Sequence, residues 1–397
     1  MSTSRRRSLT AVATLALAAA LVAPTPATAA ERPSPGHRKA PVPAERYVAM
    51  GDSFVSGPGI ERQLDGCGRS DKNFVRLVAA GLRVASFKDA SCGAAQTKNY
   101  WEPQVINGYT NPAQLDALDR STTLVTLGTM GGNDVGLVQL ATQCIAVGCS
   151  TLPPEQYTAA IDALVPVYRR VIREVRARSP RAQIVAVGYG TYVPRERCAA
   201  LGNATEADLA YLQGMIDRLS DTIGKVAREQ RIAFVDMRAI KGWREHTACA
   251  DPADQWIRGL NPYGDGIPLH PSTTGMEQMG AQALKVISPL VARRAAERRV
   301  KAAAASVRVR AVCSGPRRSR KVTIRTTGGK GLVAVASFRV GRQWVGTDRR
   351  APFSVTRTAR WVKRQTARGP VRATVVLRAG NVRLRTTVAT PRPPCLR

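Results

Sequence analysis

Residues 47–57 read Tyr-Val-Ala-Met-Gly-Asp-Ser-Phe-Val-Ser-Gly, an apolar run that stops at Gly51-Asp52-Ser53 and gives way to small residues. The apolar run is typical of a buried strand, and the residues after it are typical of a turn. Open α/β sheets bind their ligands beyond the carboxyl ends of the strands. The stretch therefore makes Ser53 a candidate nucleophile, and the alternative is a turn serine that caps the next helix.

Two further segments end in a comparable way. An apolar run that begins at Leu124 leads into Gly132-Asn133, and the segment that begins at Val84 ends at Gly93. Glycine allows a close approach of the backbone to a ligand, and an asparagine amide is a hydrogen-bond donor. These matching positions favour the interpretation of Ser53 as a nucleophile over that of a turn residue.

The chain has three histidines, so few residues can act as a base for a serine. His37 lies in a proline-rich stretch, and His246 lies in a predicted loop. His270 directly precedes Pro-Ser-Thr, where a helical pattern begins near Ser272. A histidine titrates close to neutral pH, which suits a general base, and His270 is the candidate.

Ser53, Gly93, Asn133 and His270 follow one another in this order, and in this the chain resembles the SGNH (GDSL) hydrolase family over about residues 45–290. The resemblance, which is to secreted actinomycete-type esterases and lipases, implies hydrolysis of carboxylic esters through an acyl-enzyme on Ser53, with His270 as general base. It also implies an oxyanion hole made of the Ser53 N–H, the Gly93 N–H and the Asn133 side chain. A phospholipase and a carbohydrate acetylesterase are the alternatives within this class.

One position departs from the family pattern. Many members carry an acidic residue three positions before the histidine, and here that position is Ile267. Two hypotheses follow: the backbone carbonyl of Ile267 orients the ring of His270, or the carboxylate of Asp265 does so. The first makes the site a Ser-His dyad.

Strand and helix signals alternate between these motifs. Apolar runs at 182–188 and 232–236 are typical of buried parallel strands, and helical patterns cover 157–178, 206–230 and about 272–299. The alternation predicts a three-layer α/β/α sandwich with a parallel sheet, of the SGNH hydrolase type. Ser53 lacks the Gly-x-Ser-x-Gly elbow of an α/β-hydrolase. The sequence also lacks a His-Glu-x-x-His helix and a phosphate-binding loop, so we expect no metal and no cofactor.

The amino-terminal residues predict export. Three arginines at 5–7 precede an apolar run at 9–22 and small residues at 27–30, which is the pattern of a signal peptide over residues 1–30. The run is too short for a transmembrane anchor. Residues 31–44 contain four prolines and are predicted to be a flexible linker. We expect an extracellular protein, either free or associated with the cell wall.

Eight cysteines in an exported chain predict four disulfides. The resemblance implies the pairs Cys67–Cys92, Cys144–Cys149 and Cys198–Cys249. Cys313 and Cys395 then form the remaining pair.

Charge divides the chain into a catalytic domain at 45–299 and a basic domain at 300–397. From Val291 to the end, 28 lysines and arginines face two acidic residues, whereas the rest of the chain has 32 basic and 26 acidic residues. Short strand patterns in the basic part predict a small β-sandwich, and residues 337–353 resemble the central hairpin of bacterial immunoglobulin-like modules.

So many like charges favour a polyanionic partner. The candidates are an anionic cell-wall polymer, an anionic lipid surface or an acidic polysaccharide, and the alternative is a solvated surface without a ligand. No motif for specific nucleic-acid recognition is present. We expect a monomer with an ester or lipid substrate. A different class of function, a wall-binding or adhesive protein with a vestigial hydrolase domain, is the remaining alternative.

Overall fold

The computed structural model describes residues 44–364 and 369–396. The predicted signal peptide, and the linker except for Ala44, lie outside the described residues. The strands are β1 (Arg46–Met50), β2 (Ser86–Asp89), β3 (Gln104–Ile106), β4 (Tyr109–Asn111), β5 (Leu124–Leu127), β6 (Gln183–Val187), β7 (Ala233–Val235), β8 (Arg308–Ser314), β9 (Lys321–Thr327), β10 (Val333–Val340), β11 (Gln343–Asp348), β12 (Ser354–Thr358), β13 (Val371–Ala379) and β14 (Val382–Thr390). The α-helices are α1 (Ser53–Ser56), α2 (Phe74–Leu82), α3 (Leu137–Val147), α4 (Glu155–Arg178), α5 (Glu206–Glu229), α6 (Thr273–Ser306) and α7 (Ala359–Arg364).

A parallel sheet in the order β2-β1-β5-β6-β7 forms the middle layer of the catalytic part. Residues 47–50 of β1 and 124–127 of β5 are buried without interruption, as expected for strands that are covered on both faces. Helices α2 and α6 pack against each other, as do α4 and α5. The predicted three-layer α/β/α sandwich is confirmed.

The two central strands bring their carboxyl ends together. Met50 of β1 lies opposite Leu127 of β5 in the parallel register. The residues that follow remain paired, because Gly128 N–H donates to the Met50 carbonyl at 2.8 Å and Asp52 N–H donates to the Thr129 carbonyl at 3.0 Å. The turns after β1 and β5 therefore form one continuous edge.

Helix α6 passes through the domain boundary predicted at residues 299 and 300. The helical pattern predicts an end at about residue 299, but the helix continues to Ser306. Ile287 belongs to the core of the α/β part, whereas Val300 and Ala303 belong to a second core. Apolar residues on both sides of the predicted boundary keep the helix continuous.

The second core lies in a small β-sandwich, as predicted. One antiparallel sheet has the order β11-β10-β13-β14, and the other has the order β12-β9-β8. The inward residues include Ile324, Phe338 and Leu377, all fully buried. The resemblance to immunoglobulin-like modules stays a prediction.

Four disulfides join the eight cysteines, in the pairs Cys67–Cys92, Cys144–Cys149, Cys198–Cys249 and Cys313–Cys395. Among the described residues, none of the helices combines the length and the hydrophobicity that crossing a bilayer requires. The same residues contain no group of His, Cys, Asp and Glu arranged to hold a metal ion.

Candidate active site

Ser53 is the first residue of α1 and lies in the sharp turn after β1. Asp52 caps this short helix, because its carboxylate accepts the Phe54 N–H at 3.0 Å. A side chain at Gly51 would place its Cβ 2.3 Å from a methyl carbon of Val55, so the turn requires glycine there. Within the described residues, the Ser53 N–H has no hydrogen-bond acceptor. The turn therefore presents both a hydroxyl and a free N–H at the same residue.

His270 contacts the Ser53 hydroxyl directly, although 217 positions separate them in the sequence. Its Nε2 lies 2.8 Å from Ser53 Oγ, and its Nδ1 lies 2.8 Å from the carbonyl oxygen of Pro268. A carbonyl can only accept, so Nδ1 carries the proton and Nε2 is free to accept the serine proton. The ring packs on Phe54 with centroids 4.8 Å apart, which fixes its plane.

The Ile267 carbonyl and the Asp265 carboxylate are the two groups expected to orient His270. Neither of them forms a hydrogen bond with its ring. The carbonyl of Ile267 accepts the backbone N–H of His270 at 3.2 Å instead of the ring. The carboxylate of Asp265 is paired with Arg258. Leu269 adopts a left-handed conformation with φ of 62°, and the resulting turn folds the ring back over the Pro268 carbonyl. The orienting carbonyl is thus one residue later than expected.

Burial lowers the pKa of His270 below the usual histidine value, and the hydrogen bond to Pro268 only partly offsets this. The imidazole is therefore neutral at neutral pH, which is the state that accepts a proton. The site provides a hydroxyl and a base in contact, and this pair is suited to nucleophilic attack on a carbonyl carbon.

Asn133 and Gly93, the two other residues of the family pattern, differ in how they are placed. Asn133 lines the same cavity as Ser53 and His270, and its side-chain amide donates to the Ala95 carbonyl at 3.0 Å. One amide proton remains for a second acceptor. The Gly93 N–H, by contrast, donates to the Cys67 carbonyl at 2.8 Å and is not free. The Cys67–Cys92 disulfide holds these two segments together.

Tyr189 is a residue that the sequence motifs missed. Its hydroxyl donates to the Asp52 carboxylate at 2.5 Å and accepts the Gly132 N–H at 3.0 Å. Thr129 donates to the other oxygen of Asp52 at 2.7 Å. Tyr189 thus connects the turn that carries Ser53 with the turn that carries Asn133. The available signal was its place in Gly-Tyr-Gly, just after the apolar run that forms β6.

Asp52 is fully enclosed by this network. Burial raises the pKa of its carboxyl group to about 6, against the hydrogen bonds from Tyr189, Thr129 and Phe54, which lower it. Burial likewise raises the pKa of Tyr189 well above its usual range, so the phenol keeps its proton and continues to donate.

A cavity that is open to solvent extends from Ser53 and His270. Its walls are mainly apolar. Helices α3 and α5 contribute one part of them, with the side chains Leu137, Val138, Ala141, Cys144, Ile145, Leu209, Leu212 and Ile216. A hydrocarbon chain would replace water along these walls, which is favourable.

Comparisons with known proteins agree with this geometry. The GDSL-like lipase/acylhydrolase family matches residues 49–278. "Lipase 2" of Streptomyces coelicolor is 31% identical over 266 residues, which cover 62% of this chain and 86% of that protein. The crystal structure of phospholipase A1 from Streptomyces albidoflavus superposes with a TM-score of 0.51 at 27% identity, covering 61% of this chain and 99% of that one. The extracellular lipase from Streptomyces rimosus gives a TM-score of 0.50 at 25% identity, with 61% and 100% coverage.

Proposed function

The chain belongs to the GDSL-like lipase/acylhydrolase family and is a carboxylic ester hydrolase, and we propose that it works through an acyl-enzyme on Ser53 with His270 as general base. The observation that carries the proposal is the 2.8 Å contact between Ser53 Oγ and His270 Nε2. Nε2 takes the serine proton as Oγ attacks the ester carbonyl carbon. The same proton then goes to the oxygen of the leaving alcohol. Water attacks the acyl-serine in the second half, and Nε2 again accepts and returns a proton.

The Pro268 carbonyl takes the place of the usual acid in this scheme. It accepts the Nδ1–H, which fixes the tautomer and favours the imidazolium that forms during attack. Asp265 cannot assist while it is paired with Arg258. We therefore describe the reacting pair as a Ser-His dyad oriented by a backbone carbonyl.

The developing oxyanion needs hydrogen-bond donors beside Ser53. The free N–H of Ser53 and the remaining amide proton of Asn133 support that role. The family resemblance adds the Gly93 N–H, which would have to exchange the Cys67 carbonyl for the substrate oxygen. Two donors are thus ready before substrate binds, and a third requires a local shift.

The apolar cavity favours an acyl chain longer than acetyl, and so a lipid or long-chain ester over an acetylated sugar. Similarity to the Streptomyces albidoflavus phospholipase A1 makes a phospholipid the second candidate substrate. Export is supported by the predicted leader, by the four disulfides and by the likeness to an extracellular lipase.

A panel of p-nitrophenyl esters from acetate to palmitate tests the cavity's role. Wild type is expected to prefer chains longer than acetate. Ala141→Phe fills the cavity and is expected to lower kcat/KM for decanoate and longer esters about tenfold, with acetate nearly unchanged. Val147→Phe is the matched control, because Val147 lies on the same helix and is 81% exposed. An equal loss for acetate and palmitate in Ala141→Phe would place the acyl chain elsewhere.

The pH dependence of kcat/KM tests the base. Only neutral His270 accepts the serine proton, and burial lowers its pKa, so activity should fall on the acid side at a midpoint below pH 6.5. Burial also raises the pKa of Asp52, next to Ser53, to about 6, so its contribution to the pH profile must be separated from that of His270. Tyr189→Phe removes a hydrogen bond that lowers the pKa of Asp52, and it should leave the His270 midpoint in place. A wild-type midpoint above pH 6.5, with folding intact by circular dichroism, would contradict the lowered pKa of His270.

A further inference from the structure

The outer face of the sheet β11-β10-β13-β14 carries a concentrated positive charge. Along β13, Val371, Ala373, Val375 and Leu377 point into the core, and the alternate residues point outward. We call this outer surface the arginine face, and its members are Arg339, Arg372, Arg378, Arg383, Arg385 and Trp344.

The arginines of this face lie opposite one another instead of opposite acids. Arg339 of β10 is the register partner of Arg372, and Arg378 is the register partner of Arg383 of β14. Directly opposite residues have Cβ atoms about 5 Å apart, and like charges there are destabilising. The fold keeps two such pairs on one surface, and the pairs are about 20 Å apart along β13 at roughly 3.4 Å per residue.

No carboxylate of the described residues neutralises the face. Asp348 is the one acidic residue in the sequence after Glu297, and its carboxylate accepts the backbone N–H groups of Arg350 and Ser354 at 3.0 and 2.9 Å. In the described parts of the chain, Arg383 and Arg385 have neither an ion-pair nor a side-chain hydrogen-bond partner. Arg339, Arg372 and Arg378 each donate one N–H to a backbone carbonyl, which leaves their charge unneutralised. Their other N–H groups, and those of Arg383 and Arg385, remain available to an external anion.

A row of hydroxyl groups crosses the face between the two arginine pairs. Thr387 and Thr374 are 3.0 Å apart across β14 and β13, and Ser337 and Thr347 are 2.9 Å apart across β10 and β11. Thr374 and Ser337 are register partners, which joins the two halves into one row. Hydroxyls both donate and accept, so the row can bind sugar or polyol hydroxyls as well as anionic oxygens.

We propose that the arginine face binds a linear polyanion, a chain of sugar or polyol units that carries carboxylate or phosphate groups. Such a chain reaches both arginine pairs at once and relieves the repulsion in each. Guanidinium groups match carboxylate and phosphate geometry.

The side chains of the arginine face favour a polymer over a bilayer or a nucleic acid. The single aromatic residue of the face, Trp344, donates its indole N–H to Thr347 at 3.4 Å and so is tied to the sheet. A membrane-docking surface usually inserts aromatic or aliphatic side chains, and single-stranded nucleic acid usually stacks on several aromatic rings. This face offers charges and hydroxyls instead.

The test measures binding of the full secreted chain to polygalacturonate and to a polyol phosphate polymer. Dextran is the neutral control, and phosphatidylglycerol vesicles and duplex DNA are the competing partners. Arg372→Gln/Arg378→Gln/Arg383→Gln removes three charges from the face. Arg310→Gln/Lys321→Gln/Arg325→Gln removes three exposed charges from the other sheet, where Arg310 and Arg325 also lie opposite each other.

The face variant is expected to weaken binding of at least one anionic polymer by about tenfold or more, and the control variant by less than about threefold. Its melting temperature should stay equal or rise, because the repulsion in both like-charge pairs is removed. Equal losses in the two variants, no loss in either, or face-dependent binding of vesicles or DNA but not of the polymers would overturn the proposal. Hydrolysis of a soluble p-nitrophenyl ester should be unchanged in both, so this outcome is independent of the Ser53 mechanism.

Discussion

Ser53→Ala and His270→Ala are each expected to reduce kcat for a p-nitrophenyl ester by about 10⁴-fold to 10⁶-fold. The two side chains form one reacting unit through the 2.8 Å contact, so loss of either removes the activated nucleophile. The KM should change little, because the apolar cavity that binds the acyl chain remains. Steady-state kinetics on purified variants measure both quantities.

Two matched controls accompany these variants. Ser56→Ala removes another buried hydroxyl from α1, and no hydrogen-bond partner of that hydroxyl lies within the described residues. His246→Ala removes a histidine that stacks on Trp256 and does not line the cavity. Both controls should keep a kcat close to that of wild type.

The double variant Ser53→Ala/His270→Ala should be no slower than either single variant, because the residues act as a unit. Additive losses would show that they act separately.

Asn133→Ala is expected to lower kcat by about 10²-fold to 10³-fold, which corresponds to about 2.7 to 4 kcal/mol of transition-state stabilisation. The free amide proton of Asn133 points to a role in the charged intermediate more than in substrate binding, so the KM should remain within a few-fold of wild type. Kinetics with p-nitrophenyl butyrate separate the two parameters.

The Asn133 amide also donates to the Ala95 carbonyl, so Asn133→Ala removes a structural hydrogen bond as well. Thermal unfolding of the variant must therefore be measured beside its kinetics. Asn203→Ala is the control, because that asparagine likewise donates to a backbone carbonyl, of Ala146, at 3.1 Å and does not line the cavity. A rise in KM with unchanged kcat would assign Asn133 to ground-state binding. A loss below about fivefold would remove it from the oxyanion hole.

The parts of the fold that the sequence predicted depend on local patterns. Uninterrupted apolar runs are sufficient to identify β1, β5 and β6 as buried parallel strands, and the turn residues after them locate the edge of the sheet. Ser53 and Asn133 follow from this rule. The basic β-sandwich follows from its alternating residues and turn signals.

The parts that were missed depend on backbone geometry or on distant contacts. The carbonyl that meets His270 is set by the left-handed Leu269, and nothing in the residue types around 265–270 specifies that conformation. The role of Tyr189 depends on the proximity of two turns in the folded sheet. The N–H of Gly93 is occupied because a disulfide brings Cys67 beside it. Each of these features depends on contacts that exist only in the folded chain.

The most direct test of the central claim is covalent labelling with diethyl p-nitrophenyl phosphate, followed by digestion and mass spectrometry. We expect one diethylphosphoryl group on the peptide that contains Ser53, formed with release of one p-nitrophenol. Ser53→Ala should not be labelled, and His270→Ala should be labelled far more slowly. An adduct on a different residue, or undiminished labelling of Ser53→Ala, would contradict the assignment of Ser53 as the nucleophile.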